Sequence, residues 1–286
     1  MSGKKIAIIG GDTRLAYMVP VLARRGFAVV CFGTEPIPEK SGVSYCIAGS
    51  IQEALEHAEG IVCGIPFARG DRVYFPDSMP QLSIARFCEA LPEGCRLFGG
   101  VFPESVKKAC LEKQTMYFDF MEDEPLAVFN AVATAEGTIL TALQTQPTNL
   151  HGSACLVLGY GKCGRVLADK LKGLSADVTV CVRKAGSLAC AAAAGMGTLS
   201  FDRLSEKISK YEYIFNTVPA PVLTERALAK VSRTSLIVDI ATGGGVDYKA
   251  AERLGLRAVL APGLPGKYAP KTSAVGMAEF VMKKME

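Results

Sequence analysis

Ala154-Cys155-Leu156-Val157-Leu158-Gly159-Tyr160-Gly161-Lys162-Cys163-Gly164-Arg165 reads as an apolar strand, a glycine-rich turn and the start of a helix. Gly-x-Gly-x-x-Gly spacing is informative in that context and weak outside it. Gly159 permits the tight turn, Gly161 lets the backbone approach a pyrophosphate, and Gly164 lets the helix pack close to the strand. The first helical turn then offers free N–H groups to phosphate oxygens. Tyr160, Lys162, Cys163 and Arg165 share the turn and are expected cofactor contacts beside the three glycines. A tight turn that binds nothing is the alternative.

Working outward, short apolar runs alternate with helical patterns. Strands are expected at Ala154–Leu158, Asp177–Val182, Gly197–Leu199, Tyr213–Thr217, Ser235–Ile240 and Arg257–Leu260. Helices are expected at Cys163–Leu174, Ser187–Ala194, Leu204–Ser209, Thr224–Val231 and Tyr248–Leu254. The same alternation opens the chain, with strands Lys5–Ile9, Ala28–Phe32, Ser44–Ile47, Gly60–Ile65, Arg96–Gly99 and Met116–Phe120. Its helices are Thr13–Arg25, Ile51–Ala58, Leu82–Leu91 and Glu104–Gln114, with Pro20 expected to kink the first or delay its start. Strand–helix alternation specifies a parallel sheet covered by helices. The expected class is α/β: two Rossmann-like domains, each a parallel sheet with helices on both faces, joined by linking helices. Residues 1–128 form a substrate domain, completed by a C-terminal helix 273–286. Residues 129–150 carry a linking helix, patterned over Asn130–Gln146. Residues 151–272 form the NAD(P)-binding domain.

Ligands of open α/β sheets sit at the carboxyl ends of the strands. The strand ending at Val182 runs into Arg183-Lys184, with Ser187 close behind. An NAD site would place an acid there for the ribose 2′-hydroxyl. Two cations and a hydroxyl instead suit a 2′-phosphate, so NADP is the expected cofactor, with NAD as the second choice. A solvated basic strand end is the alternative. Asn216, Thr217, Val218 and Pro219 follow the fourth strand, Ala241 the fifth, and Pro262 and Gly263 the sixth; all are expected to line the cofactor. Residues 261–272 read as one loop against the nicotinamide or the substrate.

The turn Gly10-Gly11-Asp12-Thr13-Arg14 also joins a strand to a helix, but Leu15 stands where a third glycine is required. It reads as a dinucleotide turn that no longer holds a dinucleotide. Arg14, with Thr13, could hold a substrate carboxylate; a surface arginine is the alternative. Glu136 on the linking helix and His151 are the candidates for proton handling. A helix-surface carboxylate and a hinge histidine are the competing readings. His57 lies among glutamates and reads as solvated, so a histidine–acid relay is poorly supported. No nucleophile elbow and no P-loop occur.

Composition agrees. The 286 residues are 49% hydrophobic and 21% charged, which excludes a disordered or fibrous chain. A net charge of +4, without a basic block, argues against nucleic acid as a partner. The ten cysteines show no Cys-x-x-Cys pair and no nearby histidine, so no metal is expected and the thiols read as reduced core residues. Apolar runs fall short of a bilayer span and the N-terminus lacks a signal peptide, which suggests a cytoplasmic protein without a membrane partner.

Together, Gly10-Gly11-Asp12-x-Arg14, Glu136-Gly137-Thr138, His151-Gly152-Ser153, Gly159-x-Gly161-x-x-Gly164-Arg165, Asn216-Thr217-x-Pro219 and Ala261-Pro262-Gly263-Leu264-Pro265-Gly266 with Ala269-Pro270-Lys271-Thr272 resemble the A-subunit family of dipicolinate synthase. The resemblance covers nearly the whole chain. It implies NAD(P)-dependent oxidation of dihydrodipicolinate, or of its hydroxy-tetrahydro precursor, to dipicolinate in the mother-cell cytoplasm of a spore-forming bacterium. A small dicarboxylate substrate and the separate B-subunit of dipicolinate synthase are the implied partners, with a homodimer left open. For a dicarboxylate, the expected contacts are Thr13, Arg14, Leu264, Pro265, Gly266, Lys271, Thr272 and Ser273. A non-catalytic dinucleotide-binding regulatory protein and a hydroxy-acid dehydrogenase of the same fold are the alternatives.

Overall fold

A computed structural model describes residues 3–36, 42–77, 79 and 81–286. The chain divides into two units, Met1–Phe129 with Ala269–Glu286, and Asn130–Tyr268. The first contains β1 (Lys5–Ile9), α1 (Thr13–Arg24), β2 (Ala28–Phe32), β3 (Cys46–Ile47), α2 (Ile51–Leu55) and β4 (Gly60–Cys63). It continues with β5 (Ala68–Arg69), β6 (Arg72–Val73), α3 (Ile84–Ala90), β7 (Arg96–Gly99), α4 (Glu104–Glu112) and β8 (Met116–Asp119). Helix α5 (Glu124–Thr145) begins in this unit and ends in the other.

The second unit holds β9 (Ala154–Leu158), α6 (Lys162–Gly173), β10 (Asp177–Val182), α7 (Ala185–Ala193), β11 (Gly197–Ser200) and α8 (Leu204–Lys207). Then come β12 (Tyr213–Asn216), α9 (Glu225–Leu228), β13 (Leu236–Asp239), α10 (Tyr248–Arg253), β14 (Arg257–Leu260) and α11 (Leu264–Tyr268). The last helix, α12 (Pro270–Met285), returns to the first unit.

Each unit is built on a six-stranded sheet, ordered β3-β2-β1-β4-β7-β8 in the first and β11-β10-β9-β12-β13-β14 in the second. All pairings within these sheets are parallel. Both orders reverse at the first strand of their unit, the topology that opens a crevice at the strand carboxyl ends. Side-chain alternation sends Ala7 and Ile9 to a core with α2, α3 and α4, and Ile6 and Ile8 to a core with α1 and α12. In the second unit Cys155 and Val157 face one core, Leu156 and Leu158 the other. Both faces of each sheet are therefore covered, as continuous apolar strands demand.

Several expectations need correction. Pro20 neither delays nor ends α1, which starts at Thr13 because Asp12 caps it, its carboxylate accepting from the Arg14 amide at 3.1 Å. Helix α5 starts at Glu124, before the patterned stretch, because Asp123 accepts from the Leu126 amide at 2.9 Å. Residues 261–272 are not one loop: α11 and the start of α12 occupy most of it. Pro265 and Pro270 each stand in a first helical turn, where a missing N–H costs nothing. Helix α5 is also long and apolar enough to cross a bilayer by length and composition, which a count of unbroken apolar runs overlooks; 44% of that stretch is buried inside the protein.

Candidate functional site

The β9–α6 turn has the geometry its three glycines foretell. Gly159 has φ +95°, and a Cβ there would stand 2.5 Å from Thr217 Oγ1 and 2.9 Å from a Val218 methyl. At Gly164 a Cβ would stand 2.4 Å from the Gly159 carbonyl oxygen, so helix and strand touch through bare backbone. Gly161 differs: nothing lies within 4 Å of its Cβ position. That open face is at the N-cap of α6, where no side chain caps the helix. The first-turn amides thus face a space that a side chain would fill and a pyrophosphate fits. Arg165 folds back over the turn, its Nε donating to the Tyr160 carbonyl at 3.1 Å and its guanidinium 5.3 Å from the Tyr160 ring centroid. Lys162 is exposed at the first helical position, and Cys163 is half-buried, its thiol pKa raised by burial.

Neighbouring strand ends complete the rim. The Gly159 amide donates to the Cys181 carbonyl at 2.9 Å, which brings the exposed Arg183 and Lys184 to the side of the turn. Ser187 stands in the first turn of α7, capped by Lys184. On the other side, Thr217 Oγ1 donates to the Leu158 carbonyl at 2.8 Å, and Asn216 holds the Val218 amide at 3.1 Å. Val218 is half-buried and Pro219 exposed beyond it. Pro262 and Gly263 are exposed after β14.

One residue of this edge escapes the sequence reading. Asp239, fully buried at the end of β13, accepts from Asn216 Nδ2 (2.9 Å), the Ala241 amide (3.1 Å), the Gly245 amide (2.7 Å) and the Tyr248 hydroxyl (3.1 Å). Four donors satisfy a buried carboxylate without a cation. They fix the Ala241–Gly245 loop, and burial followed by the Asp239 charge raises the Tyr248 phenol pKa well above its ordinary value. The signal that could have found it is an acid closing the apolar Leu236–Val238 run shortly before three glycines.

Other expected residues fall elsewhere. His151 is exposed on the turn that enters β9, at the opposite end of that strand from Gly159. Five strand residues, at roughly 3.3 Å each, separate the two positions, so His151 is not beside the cofactor turn. Glu136 is 59% exposed and ion-paired to Lys170 Nζ at 2.9 Å. Lys170 is in the last turn of α6, away from its phosphate-facing start, so this carboxylate also lies off the turn. Leu264 is buried, packed where a Gly137 Cβ would stand 2.9 Å away, and is a core residue instead of a ligand contact. Pro265 and Gly266 are half-buried in α11 with it.

In the first unit, the Gly10–Gly11 turn is covered by its own chain. The Gly11 amide donates to the Tyr74 carbonyl at 2.7 Å, and Phe75 ring atoms stand 2.8 Å from a Gly10 Cβ and 2.1 Å from a Gly33 Cβ. A dinucleotide has no path there, in keeping with the missing third glycine. Arg14 is only 5% exposed and not a surface arginine. Its Nε and Nη2 grip Asp12 at 2.9 and 2.7 Å, and Nη2 also donates to the Ile65 carbonyl at 3.0 Å. The fork expected to clasp a substrate is thus filled by Asp12, leaving Nη1 for any ligand. Thr13 donates its hydroxyl to Glu35.

Helix α12 ends beside the starts of β1 and β4, where Lys4 Nζ donates to the Met285 carbonyl and Met285 Sδ packs 2.9 Å from a Gly60 Cβ. It therefore begins at the strand carboxyl ends, as α1 does. Lys271 and Thr272 are exposed in its first turn; Ser273 is fully buried, its Oγ without a hydrogen-bond partner.

Comparison with known proteins agrees with these assignments. Residues 5–121 match the N-terminal domain of the dipicolinate synthase A-subunit. Residues 127–254 match the NAD-binding domain of D-isomer-specific 2-hydroxyacid dehydrogenases. The dipicolinate synthase A-subunit of Bacillus subtilis is 28% identical over 99% of this chain and 96% of its own. The crystal structure of the Bacillus halodurans A-subunit superposes with a TM-score of 0.88 at 28% identity, covering 99% of this chain and 98% of that one. The Bacillus subtilis structure gives 0.86 at 29%, covering 99% and 96%.

Proposed function

The chain belongs to the A-subunit family of dipicolinate synthase, and from that premise we propose that it oxidises dihydrodipicolinate to dipicolinate with NADP as hydride acceptor. The observation that carries the reading is the open face at Gly161 between two glycines that admit no side chain. It suits a bound pyrophosphate, and the match to an NAD-binding dehydrogenase domain supports a nicotinamide dinucleotide. Gly159 to Arg165 would hold the pyrophosphate. Arg183, Lys184 and Ser187 would hold the 2′-phosphate. Asn216 to Pro219, Ala241, Pro262 and Gly263 would line the nicotinamide half. When bound, the nicotinamide takes the hydride.

The dihydropyridine loses a hydride and a proton, and the gained aromaticity drives the step. The chain's main tasks are alignment and charge neutralisation. That agrees with the placement of both histidines before strands, His57 ahead of β4 and His151 ahead of β9, which disfavours a hydroxy-acid dehydrogenase that needs an acid–base relay. In the first unit, Arg14 Nη1, Thr13 and the α12 start at Lys271, Thr272 and Ser273 would meet the dianion; a helix N-terminus favours negative charge. The relatives are named as one of two kinds of chain in their synthase, which implies a B-subunit partner, and the free, largely buried thiols suit the cytoplasm. The test is cofactor-dependent turnover. Purified chain that binds NADP⁺ yet never reduces it with substrate, with or without the B-subunit, supports a regulatory role and rejects the enzyme.

A further inference from the structure

The β5–β6 hairpin stands in an unusual place. It follows β4, a central strand, and folds back across the β1–α1 turn, so that Tyr74 and Phe75 cover Gly10, Gly11 and Gly33. In an open α/β sheet that is where a ligand lies. The hairpin fills the dinucleotide path and forms a new rim in its stead. On that rim is Arg69, whose guanidinium carbon sits 3.9 Å from the centroid of the Tyr74 ring. Arg72, across the hairpin, pairs with Asp71, whereas among the described residues no carboxylate lies within ion-pair distance of Arg69.

We propose that Arg69, stacked on Tyr74, is the residue by which the first unit recognises one carboxylate of an aromatic dicarboxylate. The inference rests on the substrate class proposed above. Arg14 cannot supply bidentate recognition, because its fork is filled by Asp12. Arg69 can. Stacking uses the face of a guanidinium and leaves its in-plane N–H groups available, in the fork geometry that matches a carboxylate. The stack also restricts the side chain before the ligand arrives, which lowers the ordering cost of binding. Tyr74 joins the two arginines. Its phenol is raised by burial and by Asp12, while Arg69 and Arg14 act on it in the opposite sense, so both cations address the same point of the rim. The opposing charge is Glu35, whose carboxylate accepts the Thr13 hydroxyl.

The probe is pyridine-2,6-dicarboxylate, titrated calorimetrically into the full chain, with pyridine-2-carboxylate as the single-carboxylate control. Arg69→Ala is expected to weaken the dicarboxylate at least tenfold and the monocarboxylate by much less. Arg69→Lys, which keeps the charge and loses the fork, should recover only part. Tyr74→Leu, which removes the platform and keeps the backbone carbonyl that Gly11 uses, should fall between. NADP⁺ affinity and melting temperature should stay at wild-type values in Arg69→Ala, which separates recognition from folding. Wild-type dicarboxylate affinity in Arg69→Ala, with affinity lost in Lys271→Ala, overturns the role of Arg69 and leaves the substrate reading standing. No binding to the wild-type chain overturns both. Equal losses for the two probes in Arg69→Ala also overturn the proposal, since a residue reading the second carboxylate must distinguish them.

Discussion

Gly161→Val separates the cofactor reading from an empty βα turn. The position has φ −80° and ψ −162°, extended backbone that a β-branched residue adopts readily, and nothing lies within 4 Å of its Cβ. Stability without ligand should therefore stay within about 0.5 kcal/mol of wild type, the range for substitutions that meet no neighbour. The valine methyls would occupy the space assigned to the pyrophosphate. The assay is a thermal shift with NADP⁺. At a hundredfold excess over Kd, a ligand that binds only the folded state stabilises it by about 2.7 kcal/mol. At roughly 2–4 °C per kcal/mol for a unit of this size, wild type should gain about 5–11 °C. The variant should gain almost nothing. Gly164→Ala is the contrasting control: its Cβ would meet a backbone oxygen at 2.4 Å, and overpacking that the backbone cannot relieve costs about 1–3 kcal/mol before any ligand is added. A Gly161→Val chain that keeps the wild-type NADP⁺ shift would refute the assignment of the turn. So would one that melts like Gly164→Ala without ligand.

Arg183→Ala should weaken NADP⁺ by about 1.5–3 kcal/mol, the worth of a hydrogen bond to a charged group, and leave NAD⁺ nearly unchanged; equal losses in a binding titration would remove the 2′-phosphate role. Arg14→Ala and Lys271→Ala should each raise the apparent KM for substrate at least tenfold, about 1.4 kcal/mol, with NADP⁺ affinity constant; unchanged kinetics in both would remove that half of the substrate site. Burial pushes the Cys31 thiol up to about 11 and Cys110, Cys155 and Cys181 up to about 12. The folded state therefore favours the protonated thiol while the unfolded chain ionises from about pH 9, so stability should be level below pH 9 and fall steadily towards pH 12, read by denaturant midpoints. At pH 8 a thiol reagent should label Cys46 and Cys190 quickly, since these are the exposed pair, and the six buried thiols only on unfolding.

The fold is legible in the sequence because local and global signals agree. Strands buried on both faces read as apolar runs, and the turn at Gly159 carries its function in backbone freedom, which a glycine displays directly. What is illegible depends on tertiary placement. Nothing in Val73-Tyr74-Phe75 announces that the hairpin will cover Gly10 and Gly11, because the contact joins segments far apart in the chain. Arg14 stands out in the sequence, yet its bond to Asp12, two residues away, follows from the cap geometry and not from spacing. His151 and Glu136 are candidates by residue type alone, and the strand and helix directions place them off the turn. Leu264-Pro265-Gly266 misleads by composition, since prolines suit a first helical turn as well as a loop.

The most direct test of the enzymatic claim is a single reaction. The chain is mixed with freshly generated dihydrodipicolinate and NADP⁺, with and without the B-subunit, under anaerobic conditions that suppress spontaneous oxidation. Reduced nicotinamide and dipicolinate are followed together by their ultraviolet absorbance. The account predicts that both appear in one-to-one ratio, and that Gly161→Val abolishes both. Dipicolinate formed at the wild-type rate without NADP⁺, or with no nicotinamide reduced, would contradict it.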